Sequence, residues 1–488
     1  MKSKFLYNLA LLFWVIGIIS LASCNRNKID KERPESNPVQ PPDIVFIHAD
    51  LYPVKGDPIQ DGAVATRDGK IVEIGKSDEL IKKWKGPNTE MIDCHGAFLM
   101  PGFIEGHGHL SSLGFNLINV DLMETRSWQD VVDSVANRVK NTKPGEWILG
   151  RGWHQEKWTS PVDPNVSGYP YHDLLSQVSP QNPVMLSHAS GHSLFVNEAA
   201  MKMVGVSRET PDPVGGHIIR DASGNAIGVF EERAMDVFKS AHVDYQKGLT
   251  EAQINEEWFE GIRKAQHHCL QYGITSFQDA GSSFAEIKRY AQMAADDSLD
   301  FRLWVMLRHP YDTLIGRMDG FPIIEEGEDM FTCRAIKSEV DGALGSYGAW
   351  LLEPYKDRAG FKGQNTTSIE EIRGIAEIAI VKGMQLCVHA IGDRANHEVL
   401  NIFEQVFAAH PDKKDLRWRI EHAQHLNPSD IPRFKELGVI ASMQGIHCTS
   451  DAPFVEKRLG EERARTGAYA WRSLLDQGVV IANGTDTP

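Results

Sequence analysis

The chain has 488 residues, a formal net charge of −15 and six cysteines. An acidic excess of that size argues against nucleic acid as a partner and against charge-driven adhesion to anionic lipid. The length accommodates one large barrel domain plus a smaller module.

Lys2 and Lys4 precede an apolar run from Phe5 to Leu21, which closes in Leu21-Ala22-Ser23-Cys24. Charge, then apolar residues, then small residues is the order of a signal peptide, and the run is short for a membrane span. The segment resembles a bacterial lipoprotein lipobox. That resemblance implies a signal over residues 1–24, a diacylglyceryl group on Cys24, and an exported protein at the bacterial cell envelope, periplasmic or on the outer-membrane face, held to the membrane by its N-terminal lipid alone. Residues 25–42 are polar and carry Pro34, Pro38, Pro41 and Pro42, a composition that predicts a disordered, extended tether. Cys94, Cys269, Cys333, Cys387 and Cys448 are scattered without Cys-x-x-Cys spacing and read as buried small hydrophobes.

From residue 43 to 96 short strands alternate with tight turns: Asp43–His48, Gly62–Arg67, Asp68-Gly69 as the turn, then Lys70–Ile74. This pattern predicts a small N-terminal β-sandwich module. Residues 97–488 change character. Apolar strand-like runs recur at Phe98–Glu105, Thr275–Ala280, Arg302–Leu307, Ala335–Val340, Gln385–His389, Trp418–His422, Val439–Gln444 and Val479–Asn483, with helical stretches such as Ile369–Lys382 and Ala395–Ala409 between them. Eight strands alternating with helices predict an α/β fold, a (β/α)8 TIM-like barrel. Roughly 170 residues separate the first two runs, far beyond a usual βα connection, so an insertion is expected over about 110–265. It holds Trp128, Trp147, Trp153 and Trp158, a strand at Val184–His188 and a hairpin-like segment from Gly215 to Phe230. Aromatic residues at that density serve either as its core or as a lid over the barrel mouth.

Barrel enzymes gather their reactive groups at the C-terminal ends of several strands. His107 and His109 stand two apart at the end of the first run, so both imidazoles face one side and can reach one metal. Lys337, His389, His422 and Asp486 each stand where a later apolar run gives way to a loop. A lysine inside a barrel strand is costly unless paired, and Glu339 or Asp341 is the plain alternative partner. Gln278 and Asp279 end the second run, and Gln444 and His447 end the seventh, where substrate contact and an internal hydrogen-bond network are equally open. Asp393 and Arg394 read as a loop-bracing ion pair.

The order His-x-His, Lys, His, His, Asp resembles the amidohydrolase superfamily. More narrowly, Pro101-Gly102-Phe103-Ile104-Glu105-Gly106-His107-Gly108-His109, Asp341-Gly342-Ala343-Leu344-Gly345-Ser346, His389-Ala390-Ile391-Gly392-Asp393-Arg394-Ala395, Glu421-His422-Ala423-Gln424 and Gly484-Thr485-Asp486 resemble its YtcJ-like branch (amidohydrolase family 3), which includes N-substituted formamide deformylases. The resemblance implies two divalent metal ions, one on His107, His109 and Asp486 and one on His389 and His422, bridged by a carboxylated Lys337. Ligand type favours zinc and also admits iron or manganese. The implied activity is hydrolysis of a non-peptide C–N bond in a formamide, amide, cyclic amide or carbamate, with Asp486 as general base and then acid. Trp153, Lys157, His188 and His192 lie in segments similar to pocket segments of the branch.

Two features depart from the branch. A final helix and C-terminal strands are expected beyond Pro488, so the chain reads as truncated, and Tyr347 stands where relatives often carry arginine. The alternatives are a catalytically impaired ligand-binding lipoprotein of the same fold, or a hydrolase of another ester class such as phosphoesters. The partner expected is a small-molecule substrate, with a homo-oligomer left open.

Overall fold

The computed structural model describes residues 40–159, 162–189, 193–345 and 347–488. Cys24, the signal segment, nearly all of the tether and His192 lie outside the described residues. The described residues fall into two compact units, divided between Pro101 and Gly102.

In the first unit Ile44–Leu51 runs antiparallel to Ile59–Arg67 and parallel to both Glu90–Asp93 and Phe98–Leu99, while Lys70–Lys76 completes a five-stranded sheet. The Asp68-Gly69 turn has φ of +50° and +69°, the left-handed pair that a two-residue hairpin needs to match strand twist. The helix Ser77–Trp84 sets Leu80 against Val45, Ile47, Ala63 and Ala65. Of the expected sandwich, the described residues supply one sheet with a helix upon it. Phe98 belongs to this sheet and not to the barrel, because Pro101 cannot donate to a ladder and breaks the strand before Phe103.

In the second unit eight strands pair in parallel and in chain order: Phe103–Gly108, Ile274–Ser282, Arg302–Arg308, Phe331–Glu339, Gln385–Ala390, Arg419–His422, Ile440–Gln444 and Ile481–Gly484. They form a (β/α)8 TIM-like barrel with the short strand Ile323–Glu325 added antiparallel to the fourth. First and last strands meet just past their ends, where the Asp486 amide donates to the His107 carbonyl at 2.7 Å and the His109 amide to the Thr487 carbonyl at 2.8 Å. Their approach requires glycine, since a Cβ on Gly106 would stand 2.4 Å from the Asn483 carbonyl oxygen.

The connection between the first two strands is only partly an insertion. The helices Leu110–Ile118 and Glu251–Gln271 pack on one another, and Leu110, Leu113, Ile262, Ala265 and Cys269 join the main barrel core. The inserted body is therefore narrower than 110–265. It is a six-stranded sheet running from Gly216–Arg220 through Ala226–Glu232, Ser193–Val196, Val184–His188 and Ile148–Trp153 to Val120–Asp121. Its tryptophans are core: Trp128 and Trp153 are buried with Leu186 and Phe195, Trp158 packs against that cluster, and Trp147 is buried with Phe230 and Phe238.

Cys269, Cys333 and Cys387 are buried as expected, whereas Cys94 and Cys448 are half-buried, and all five are free thiols. Among the described residues no helix is long and apolar enough to cross a membrane.

Candidate metal centre

The barrel interior is layered. Ala280, Met306, Ala335 and Cys387 form an apolar layer with Trp304 beside it. Next comes a polar layer built on Arg419, whose guanidinium donates to Glu421 Oε1 at 2.6 Å, Gln278 Oε1 at 2.5 Å, Ser442 Oγ at 2.8 Å and the Gly106 carbonyl at 2.8 Å. Period-two alternation explains the pairing, because Arg419 and Glu421 are two apart on one strand and face the same side. Glu421 Oε2 then reaches His107 Nδ1 at 2.5 Å. Burial works against an ionised Glu421, but the charges of Arg419 and His107 outweigh it and hold the carboxyl well below its usual range.

With Nδ1 of His107 engaged, its Nε2 points toward the mouth, 3.5 Å from Lys337 Nζ and 3.4 Å from Asp486 Oδ1. His109 Nε2 lies 3.2 Å from the same carboxylate oxygen. On its other side Asp486 Oδ2 lies 3.5 Å from His447 Nε2 and 4.0 Å from His422 Nδ1. Two triads, His107/His109/Asp486 and His422/His447/Asp486, thus share one carboxylate, and each keeps its ligand atoms within 4.8 Å of one another. The His389 and His422 ring centroids are 4.4 Å apart. His422 and Asp486 both have left-handed backbones, φ +71° and +61°, a conformation costly for non-glycine residues and frequent where side chains are aimed for function.

The electrostatics suit a cation. Burial, reinforced by the charges of Lys337 and His107, pushes the His389 imidazole down to about 3, and burial with His389 and His107 depresses His422 as well, so both rings are neutral with lone pairs to give. His389 Nε2 is buried with no hydrogen-bond partner among the described residues. Although burial opposes it, hydrogen bonds from His107 and His109 hold the Asp486 carboxyl ionised, well below its usual range. Lys337 makes neither plain pairing: Glu339 is bound by Arg308 at 2.6 Å, and Asp341 accepts the backbone amides of Trp350, Ile391 and Gly392. The neutral His389 and His422 rings beside an anionic carboxylate fit a divalent ion.

The family profile Amidohydro_3, described as Amidohydrolase family, matches residues 90–488. The chain belongs to the amidohydrolase family. The putative amidohydrolase YtcJ of Bacillus subtilis is 32% identical over 435 residues, covering 87% of this chain and 77% of that protein. The N-substituted formamide deformylase of Arthrobacter pascens is 28% identical over 459 residues, 91% of this chain and 81% of the relative. An uncharacterized metal-dependent hydrolase from Pyrococcus furiosus shares the fold with a TM-score of 0.69 at 25% identity, covering 91% of this chain and 85% of the other. An amidohydrolase-family barrel with this cluster at its mouth is a metal-dependent hydrolase.

Within this amidohydrolase-family barrel the structure brings together His107, His109, Lys337, His389, His422 and Asp486, and it adds His447, for which the sequence left substrate contact and an internal hydrogen-bond network equally open. Gln444 and Gln278 serve neighbouring side chains: Gln444 Oε1 bonds His422 Nδ1 at 2.7 Å, and Gln278 holds Arg419. Asp279 is buried, accepts the Leu110 amide at 2.8 Å and the Ser282 hydroxyl at 2.6 Å, and so ties the helix after His109 to the second strand. Trp153 is a core residue, wholly buried and donating Nε1 to the Leu186 carbonyl at 2.9 Å. His188 packs edge-on against Trp153, and burial, with the charges of His154 and Lys157, lowers it to about 4. The expected Asp393–Arg394 ion pair is not formed: Asp393 accepts the Leu352 and Arg394 amides, while Arg394 pairs with Glu398 at 3.3 Å and lies over Trp350.

Sequence reasoning missed Glu421, Arg419 and Glu105. Glu105 accepts the amides of His107 and Thr485 and the Thr485 hydroxyl, so it fastens the loop that carries Asp486. Their one visible signal was charge inside an apolar strand, in Phe103-Ile104-Glu105 and Arg419-Ile420-Glu421.

Proposed function

We propose that this protein is a two-metal hydrolase of a non-peptide C–N bond in a formamide, amide, cyclic amide or carbamate. The observation that carries the reading is the Asp486 carboxylate standing between two histidine pairs, 3.2–3.4 Å from one and 3.5–4.0 Å from the other. Similarity to an N-substituted formamide deformylase supports the bond class. His107, His109 and Asp486 would hold one ion, and His389, His422 and His447 would supply donors to the second; imidazole and carboxylate donors favour zinc. Bound ions supply Lewis acidity toward the scissile carbonyl and the attacking water. Ionised Asp486 takes the proton from that water and returns it to the leaving nitrogen. Gln444 and Glu421 set the orientation of His422 and His107 through their ring nitrogens.

Lys337 is read as carboxylated. Burial depresses its ammonium, although the Glu421 and Asp486 charges oppose this, and a neutral amine is the form that combines with CO2. The resulting carbamate replaces an unpaired buried cation by an anionic oxygen ligand. The lipobox-like segment ending in Cys24 supports an exported, lipid-anchored setting, for which Cys24→Ser should move the protein from the membrane fraction to the soluble fraction.

The deciding experiment is metal analysis followed by hydrolysis of a panel of N-substituted formamides, amides and carbamates. The reading expects about two ions per chain and turnover that falls by about 10²–10⁴ in Asp486→Asn. Metal-replete protein that turns over no member of the panel would overturn it in favour of a ligand-binding protein.

A further inference from the structure

The last inward-facing positions of the third and fourth strands carry opposite charges. Arg308 pairs in register with Lys337, and Glu339, the next inward residue after Lys337, pairs with His389. Alternation therefore turns both side chains to the side that Met306, Ala335 and Cys387 face, at the level of the metal cluster. They meet across the strands, Arg308 Nη2 donating to Glu339 Oε2 at 2.6 Å. Gly281 on the second strand leaves room for the arginine stem, since a Cβ there would stand 2.9 Å from Arg308 Cδ.

This pair differs from the one deeper in the barrel. The side chains of Arg308 and Glu339 are 46% and 40% exposed, against 4% and 0% for Arg419 and Glu421. Arg419 is bonded to four neighbours, whereas Arg308 Nε and Nη1 and Glu339 Oε1 have no hydrogen-bond partner among the described residues. An ion pair this open adds little to stability, so its free donors and acceptor are available to a ligand. Beside it lies a cavity of about 290 Å³, lined also by His309, Thr367, Glu371 and Ile375. Glu371 sits in the first turn of the helix Ile369–Lys382, whose N-terminal dipole offsets its charge, and its Oε1 accepts the Tyr311 amide at 3.1 Å. His309 Nε2 accepts the Phe284 amide, which makes that ring neutral.

We propose that Arg308 and Glu339 are a specificity pair that selects a neutral substrate whose side arm ends in a carbonyl–NH2 group, as in a carboxamide or a urea; the inference rests on the hydrolase reading above. The arm's carbonyl oxygen accepts from the free Arg308 N–H groups, and its NH2 donates to Glu339 Oε1. The ion pair stays intact and no charge is left unmatched. A carboxylate arm would meet Glu339, and an ammonium arm would meet Arg308, so each charged arm is repelled by one member of the pair. An alkyl arm would strip water from both without replacing its hydrogen bonds.

The test gives the zinc-loaded full chain four N-alkylformamides alike except for the end of the arm: carboxamide, isopropyl, carboxylate and ammonium. In wild type kcat/KM for the carboxamide should exceed that for the isopropyl arm by about 10–100-fold, with both charged arms below the carboxamide. Arg308→Met should abolish the carboxamide advantage and raise the ammonium arm relative to isopropyl, because Glu339 is left without its counter-charge. Glu339→Gln should do the reverse and raise the carboxylate arm. Ratios are taken within each variant, so a loss common to all arms cancels. A wild type that does not prefer the carboxamide overturns the inference, and so do variants that lower all four arms by one factor, which would make the pair structural. Turnover of none of the four compounds overturns the hydrolase reading instead; calorimetric binding of the same compounds then tests the pair, and equal affinity for carboxamide and isopropyl arms overturns it.

Discussion

Removing the carboxylate of Glu421 would undo two residues at once. Arg419 would keep a guanidinium in the barrel interior opposite a neutral group, and His107 would lose the 2.5 Å bond that aims its Nε2. Leaving one member of a buried pair unmatched typically costs about 3–5 kcal/mol. Glu421→Ala should lower the unfolding free energy of the metal-free protein by that order in urea titration. Glu421→Gln keeps the shape and can still bond one neighbour, so its expected effect falls on the metal: about 10–100-fold weaker zinc binding in competition with a chelator. Unchanged affinity in Glu421→Gln would mean that the 2.5 Å contact does not tune the ring.

The helix that begins directly after His109 transmits packing to the site. Leu110–Ile118 meets Glu251–Gln271 so closely that a Cβ on Gly114 would stand 2.6 Å from the Gly261 carbonyl carbon. Because that neighbour is backbone and cannot rotate away, Gly114→Val forces the helices apart, a strain of about 1–3 kcal/mol. Asp279 ties the same helix to the second strand, so the displacement reaches His107 and His109. Thermal unfolding should show the loss, with zinc affinity falling alongside; a destabilised variant with wild-type zinc binding would separate helix packing from the metal centre. The same contact explains why the insertion's limits were not legible in the sequence. Both helices are amphipathic, and periodicity says that a face is buried without saying against what. The eight strands were legible because each is a short apolar run ending in a polar residue, and those endings exposed His107, His389, His422 and Asp486. Glu105 and Glu421 escaped notice because their roles are completed by partners far away in the chain, His107 at 314 positions from Glu421 and Thr485 at 380 from Glu105.

Over the whole molecule, buried imidazoles make folding depend on pH in a direction that can be worked out. His389 and His425 are each held near 3 by burial, and His422 is also depressed, against an ordinary value of 6.5. A depressed folded-state value means that the unfolded chain takes up protons first as pH falls through 6.5, while the native rings stay neutral. The stability these three histidines contribute is therefore fully present above about 6.5 and is lost progressively down toward 3, while Asp341, which burial raises to about 7, contributes in the opposite direction. Each such histidine contributes a slope of up to about 1.4 kcal/mol per pH unit within that window. His425 lies outside the cluster, buried edge-on to Tyr469, and neither of its ring nitrogens has a hydrogen-bond partner among the described residues. Replacing it with leucine removes one proton from the balance without touching a proposed ligand. Urea titrations of metal-free protein from pH 7 to pH 4 should show the unfolding free energy of wild type falling relative to that of His425→Leu, by about one proton's worth per pH unit. Zinc should raise stability most at the upper end of the range, where protons do not compete for His389 and His422, and progressively less toward acid. A zinc-induced gain that grew on acidification would place the ion on groups other than these imidazoles.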